Sequence, residues 1–211
     1  MTERLFFALW PGEAERAALT RLQRGLPLRG GRPNHPADLH ITLAFLGEVP
    51  PERRACYEAA AQGIQAAPFD LSLTRVGYWP RPRILWCGPE AEPAPLLALV
   101  AALGEALRPC GLRGERRPYA THVTLARKVA SFDARAATAD WHLDWRISGF
   151  VLAASREGPP PRYQVLRRWD FASDSPGSPL CDNAQLSARA GGDGRVAEPP
   201  NDHSDARHPA S

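Results

Sequence analysis

Two short stretches carry the residue types that could do proton-transfer chemistry. The first is His40-Ile41-Thr42-Leu43-Ala44-Phe45 and the second is His122-Val123-Thr124-Leu125-Ala126-Arg127. Four of the six positions are identical, and 82 residues separate His40 from His122. A single His-x-Thr arises by accident in a chain of this length. Two copies at a fixed offset point to an internal repeat. Both lie in short aliphatic runs, Leu39–Leu46 and Thr121–Ala126, which read as strands. Alternation puts His40 with Thr42 on one face and His122 with Thr124 on another, while Ile41, Leu43, Val123 and Leu125 point into a core. Residues two apart on a strand are roughly 6.6 Å apart. An imidazole and a hydroxyl at that spacing grip one small anion. Two such pairs across a cleft could move protons on both sides of a phosphorus atom.

A lone half-buried His is usually structural, and the duplication is what argues otherwise here. A metal site is disfavoured. The motifs hold no Cys, Asp or Glu, and Thr is a poor ligand, so the usual zinc sets are not met.

Paired His-x-Thr motifs on two related lobes resemble the two-histidine phosphoesterase superfamily. Within it the chain is most similar to the bacterial and archaeal RNA 2',3'-cyclic phosphodiesterases of the LigT/ThpR type, historically called 2'-5' RNA ligases. The carrying residues are the two motifs, Phe45 after the first, the Leu125-Ala126-Arg127 ending of the second, the opening Arg4-Leu5-Phe6-Phe7-Ala8-Leu9, and Arg83-Ile84-Leu85-Trp86. The resemblance covers about residues 3 to 171. It implies metal-independent hydrolysis of RNA 2',3'-cyclic phosphate ends to 2'-phosphomonoesters, without a cofactor, with His40 as proton donor and His122 as proton acceptor. It also implies that Arg127 neutralises phosphate charge. Thr42 and Thr124 would hold the non-bridging oxygens, and Phe45 would contact a base or sugar. Phe45 and Arg127 stand five residues after their His, an odd offset. A straight strand would aim them away from the cleft, so each strand must bend or end near Ala44 and Ala126. Two other readings stay open: a 2'-5' RNA ligase, which is the reverse reaction, and a non-catalytic module that binds RNA ends.

The elements that must position these groups follow from periodicity. Strands are expected at Arg4–Trp10, Leu71–Trp79, Arg83–Cys87, Trp145–Ala154 and Tyr163–Phe171. Helices are expected at Glu13–Leu26, Glu52–Ala67 and Ala94–Leu107, with a weaker one at Phe132–Thr138. The loop Leu28–Asp38, with Arg32 and His35, should form part of the cleft rim. Tyr119, Arg116 and Arg117 precede the second motif, where they could follow an RNA backbone. The halves, roughly 12–90 and 93–172, read alike. The fold class is therefore α+β: a two-lobed, pseudo-twofold, duplicated antiparallel-sheet fold with helices on the outer faces and the catalytic cleft between the lobes. Residues 1–173 would form this domain.

Beyond it, residues 174–211 are rich in Pro, Ser, Asp, Gly and Asn, and read as a disordered tail that includes His203 and His208. The tail carries six acidic and three basic residues, so the body carries +6 within an overall charge of +3. A positive body suits RNA as partner. Lys128 is the only lysine among 26 basic residues, a bias that reads as genomic composition. Cys56, Cys87, Cys110 and Cys181 are widely spaced and are expected to form neither a disulfide framework nor a zinc knuckle. The apolar stretch Leu5–Trp10 is too short for a signal-peptide core, and no run reaches membrane-spanning length. A monomer in the reduced cytoplasm is the expectation.

Overall fold

Strand alternation appears first in β1 (Glu3–Leu9), where Leu5, Phe7 and Leu9 enter the main core while Phe6 and Ala8 belong to a smaller cluster on the opposite face. The structure, a computed structural model, describes residues 2–113, 117–132 and 141–172. These fall in one unit, Met1–Asp174. Arg116, most of the candidate helix at Phe132–Thr138, and the tail with Cys181, His203 and His208 lie outside the described residues.

Three helices form where they are expected. α1 (Glu13–Gly25) buries Leu19, Leu22 and Gln23, and carries Glu13 and Glu15 in its first turn, where they favour the helix dipole. α2 (Pro51–Gln62) starts with proline at the first position and stops at Gly63, five residues before the expected end at Pro68, and it buries Tyr57 and Ala61 rather than Cys56. α3 (Ala94–Leu107) buries Leu96, Leu99, Leu103 and Leu107, one apolar face repeated over four turns. At about 25 cal/mol per Å², each such leucine contributes about 1.5–3 kcal/mol.

Nine further strands complete the sheets: β2 (Arg32–Pro33), β3 (Ile41–Val49), β4 (Phe69–Leu73), β5 (Arg75–Trp79), β6 (Ile84–Gly88), β7 (Val123–Arg127), β8 (Leu143–Ile147), β9 (Gly149–Ser155) and β10 (Tyr163–Asp170). Two stretches that read as single strands are each split in two. Thr74 separates β4 from β5, and Ser148 separates β8 from β9. In each case the first piece leaves the main sheet, and β4 and β8 pair with each other as a separate two-stranded sheet. Periodicity continues through both breaks, which is why it shows neither.

The main sheet has the order β10-β9-β1-β3-β7-β6-β5, with β2 also alongside β7, and its pairings are antiparallel. The motif strands β3 and β7 meet at its centre through one registered pair, Ile41 opposite Val123. This seam divides the sheet into two lobes. They do not correspond to the two halves of the sequence. The hairpin β5–β6 from the first half pairs with the second motif strand, and β9–β10 from the second half flanks β1 beside the first. The helices are exchanged too: α1 packs on β7, and α3 packs on β3. Helix leucines and the inward residues Leu5, Leu43, Leu85 and Leu125 share one core. The helices therefore cover one side of the sheet and leave the other open.

On the lobe formed by β5 and β6, Gly77 stands opposite Trp86. A Cβ at Gly77 would fall on the Trp86 ring, so glycine is what lets the indole lie flat there.

The cysteine expectation is corrected. Cys56 on α2 and Cys110, in the short 3-10 turn Arg108–Cys110 after α3, form a disulfide with a Cα–Cα distance of 5.7 Å. They are 54 residues apart, so only the packing of α2 against α3 brings them together. Cys87 is buried, and burial pushes its thiol up. Reduction should expose two new reactive thiols in a thiol titration of the folded protein. Cys56→Ser should lower stability by about 2–4 kcal/mol in denaturant titrations under oxidising conditions, and should match the parent in reductant.

Candidate active site

The seam register decides which face carries the chemistry. With Ile41 opposite Val123, antiparallel geometry sets His40 across from Thr124 and Thr42 across from His122. Directly opposed residues share a face, so both imidazoles and both hydroxyls lie on the side turned away from the helices. The two histidines are diagonal neighbours, about 7–8 Å apart by strand geometry. His40 sits one residue before β3, and its Nε2 meets the Thr42 hydroxyl at 3.1 Å.

Each imidazole is held in the same way. His40 Nδ1 lies 2.7 Å from the Asp38 carbonyl oxygen, and His122 Nδ1 lies 2.8 Å from that of Ala120. A carbonyl only accepts, so each Nδ1 carries the proton and each neutral ring keeps Nε2 as its acceptor, which at His40 meets the Thr42 hydroxyl. In both copies the anchoring carbonyl belongs to the residue two before the histidine.

A bulge in each motif strand removes the odd-offset conflict. On β3, Ala8 faces Thr42 and Phe7 faces Ala44, which leaves Leu43 as the extra residue. On β7, Trp86 faces Thr124 and Leu85 faces Ala126, which leaves Leu125 as the extra residue. Alternation then restarts one position late. Phe45, opposite Phe6, regains the face of Thr42, and Arg127, opposite Ile84, regains that of Thr124. Phe45 is 54% exposed, and both side chains line the cleft.

Bulges free backbone groups that need partners. The Thr124 carbonyl accepts from Asn34 Nδ2 at 2.9 Å. The Leu125 carbonyl accepts from the buried Gln23 amide at 2.7 Å and from the Asn34 backbone N–H at 2.9 Å. The Thr42 carbonyl accepts from the Tyr119 hydroxyl at 3.0 Å. The loop before each motif thus serves the carbonyl of the other motif's threonine. Sequence reasoning gave Tyr119 to the RNA backbone, whereas the structure uses it as a cross-lobe tie. Of the rim candidates, His35 caps the 3-10 turn Pro36–Asp38 through Ala37, and Arg32 lies in β2 opposite Arg127, on the same face as that residue. Arg117 is exposed.

The surroundings of the two histidines differ. His40 is packed among Trp10 (stacked, 5.6 Å), Phe6 (4.8 Å) and Tyr163 (edge-on, 5.0 Å). Burial, with the charges of His122 and Arg127 adding to it, lowers its pKa to about 4. His122 meets the edge of Trp79 at 4.7 Å. Burial lowers its pKa as well; Arg127 adds to the fall, while the Ala120 carbonyl and Glu92 oppose it. Glu92 accepts from the Thr121 backbone N–H at 2.9 Å and from the Thr121 hydroxyl, and so holds the approach to His122. Asp38 has the matching task for His40. Its buried carboxylate accepts from the backbone N–H groups of Arg162 and Tyr163 at 2.9–3.0 Å. Neither acid, nor any of the aromatic walls, was legible as a site residue, because each acts from a different strand or turn.

The cleft has a volume of about 540 Å³ and is lined by Arg4, Phe6, His40, Thr42, Phe45, Arg127, Ser155, Arg156, Glu157, Gly158, Arg162 and Tyr163. His122 and Thr124 stand across the seam, outside that lining. A second cavity of about 340 Å³, between α1 and Trp141–His142, contains no motif residue.

A family profile described as LigT like Phosphoesterase matches residues 9–86. An RNA 2',3'-cyclic phosphodiesterase of Thermus thermophilus is 36% identical over 182 residues, covering 81% of this chain and 91% of the relative. The chain belongs to the LigT-like RNA 2',3'-cyclic phosphodiesterase family. The Escherichia coli member is 32% identical over 169 residues, covering 79% of this chain and 96% of its own. The crystal structure of E. coli LigT complexed with 3'-AMP superposes with a TM-score of 0.74 at 30% identity, over 81% of this chain and 99% of that one. A Thermus thermophilus structure gives 0.70 at 33% identity, over 81% and 99%. The MHV ns2 PDE domain, at 14% identity and a TM-score of 0.51, shares the fold. No helix among the described residues is long and apolar enough to cross a membrane.

Tyr119→Phe leaves the Thr42 carbonyl without its donor and should cost about 1–3 kcal/mol in denaturant titrations. Stability should also depend on acid. The unfolded chain binds a proton at His40 near pH 6.5 and the folded chain near 4, so stability held above pH 6.5 is lost as pH falls toward 4. That loss should flatten in His40→Asn.

Proposed function

We propose that this cleft hydrolyses the 2',3'-cyclic phosphate at an RNA 3' end to a 2'-phosphomonoester, using two imidazoles and no metal ion. The observation that carries the reading is the matched anchoring of His40 and His122. Each ring is tied at Nδ1 and offers Nε2 to the same face, next to a threonine hydroxyl. Water attacks phosphorus in line with the departing O3'. His122 Nε2 takes a proton from that water, and His40 Nε2–H gives one to O3' as the P–O3' bond breaks. The hydroxyls of Thr42 and Thr124 and the guanidinium of Arg127 hold the non-bridging oxygens. The E. coli relative has been crystallised with 3'-AMP and with phosphate, a nucleotide and an anion of the kind this site would take.

A donor whose pKa lies near 4 in the free protein is unprotonated at neutral pH. The substrate's negative charge must therefore raise it, so binding of the phosphate and loading of His40 with its proton are one event. The 2'-5' ligase reading uses the same proton transfers with a 5'-hydroxyl in place of water, and the end-binding reading needs no proton pair at all. A monomer acting in the cytoplasm completes the proposal; there the Cys56–Cys110 pair would be kept reduced.

With chelator present, an oligoribonucleotide ending in a 2',3'-cyclic phosphate should yield a 2'-phosphate. His40→Ala and His122→Ala should each lower kcat by about 10²–10⁴-fold. The profile of kcat/KM against pH should be bell-shaped and displaced to the acid side, because it reports the depressed values of the free protein. That of kcat should lie closer to neutrality. A 3'-phosphate product, or activity abolished by chelation, would overturn the proposal.

A further inference from the structure

The cleft continues past the phosphate site along β1. Its open face presents Ala8, Phe6 and Arg4 in succession: Ala8 opposite Thr42, Phe6 opposite Phe45, and Arg4 opposite Glu48 on one side and Ser155 on the other. Like-facing residues on a strand are roughly 6.8 Å apart. Phe45 therefore lies one such step from the level at which Thr42 holds phosphate. Arg4 does not turn to Glu48. Its guanidinium lies over the Phe45 ring, 5.1 Å from the centroid, which draws the charge back toward the phosphate level. Among the described residues no carboxylate forms an ion pair with Arg4, although it is exposed and lines the cleft. Two of the other arginines are already engaged, and Arg127 stands at the phosphate site. Arg156 pairs with Glu3 at 2.9 Å, and Arg162 Nε donates to the Gly158 carbonyl at 3.1 Å. The lining holds four arginines against one acid, Glu157. An arginine fork resting on an aromatic ring, one nucleotide's reach from a phosphate site, is suited to a second phosphate.

We propose that Arg4 binds the 5'-phosphate of the terminal nucleotide, the group that joins it to the rest of the RNA, while Phe45 supports that nucleotide's base or sugar. The enzyme then measures one nucleotide between two anions and prefers a chain end to a free nucleoside cyclic phosphate. This rests on the phosphodiesterase reading above, and the test separates the two.

Binding is measured by calorimetry with adenosine 2'-monophosphate and adenosine 2',5'-bisphosphate. Turnover is measured with adenosine 2',3'-cyclic phosphate and its 5'-phosphorylated form. The parent protein should bind the bisphosphate about tenfold to a hundredfold more tightly, and kcat/KM should favour the 5'-phosphorylated substrate by a similar factor, mainly through KM. In Arg4→Gln both ratios should fall close to one, and Arg4→Lys should recover part of each. Equal affinity of the parent for the two nucleotides overturns the assignment, as does a preference that survives in a folded Arg4→Gln protein. Absence of turnover with both cyclic substrates counts against the phosphodiesterase reading alone, because the calorimetric ratio still decides Arg4.

Discussion

One backbone register, Ile41 opposite Val123, governs everything the cleft can do. Alternation has period two, so a slip of one residue would bury the histidines and turn Ile41 and Val123 outward. A single pair of residues is a short seam to carry such a consequence. Its support comes from crossed hydrogen bonds, with Tyr119 donating to the Thr42 carbonyl and Asn34 to that of Thr124. Each motif is thereby held by the loop that introduces the other. The buried amide of Gln23, reaching across to the Leu125 carbonyl, joins α1 to the same arrangement.

The bulges extend this logic. An extra residue at Leu43 and at Leu125 lets each motif place His, Thr and a third group, Phe45 or Arg127, on one face. Without the bulge a strand could offer only two of them before alternation reversed the third. The freed carbonyls are the cost, and Asn34, Gln23 and Tyr119 meet it with hydrogen bonds.

Symmetry of residue types coexists with asymmetry of surroundings. His40 stands among Trp10, Phe6 and Tyr163, whereas His122 has Trp79 on one side and the Glu92–Thr121 contact behind it. Acid–base catalysis needs its two groups in opposite protonation states, and identical surroundings could not supply that difference. The aromatic walls also shield both half-buried rings and disfavour their charged forms, and an anion bound beside them would favour protonation.

Much was legible in local pattern. The duplicated motif named both histidines and both threonines, and the 3.6-residue and two-residue periods located the three helices and most strands. The run of two adjacent apolar residues in each motif, Leu43-Ala44 and Leu125-Ala126, was the available sign of a bulge, since it breaks strict alternation. The exchange of hairpins and helices between halves left no such sign. Strand pairing is a contact between distant segments, and periodicity reports only which face of a segment is apolar. The same limit hid the Cys56–Cys110 bridge, whose two residues meet only because α2 packs on α3. By itself the sequence determined the chemical groups and the face each would share with its near neighbours. Only the tertiary structure decided that the two faces coincide, which carboxylates and aromatic walls surround the rings, and which histidine lies deeper, because each of those depends on contacts between segments distant in the chain.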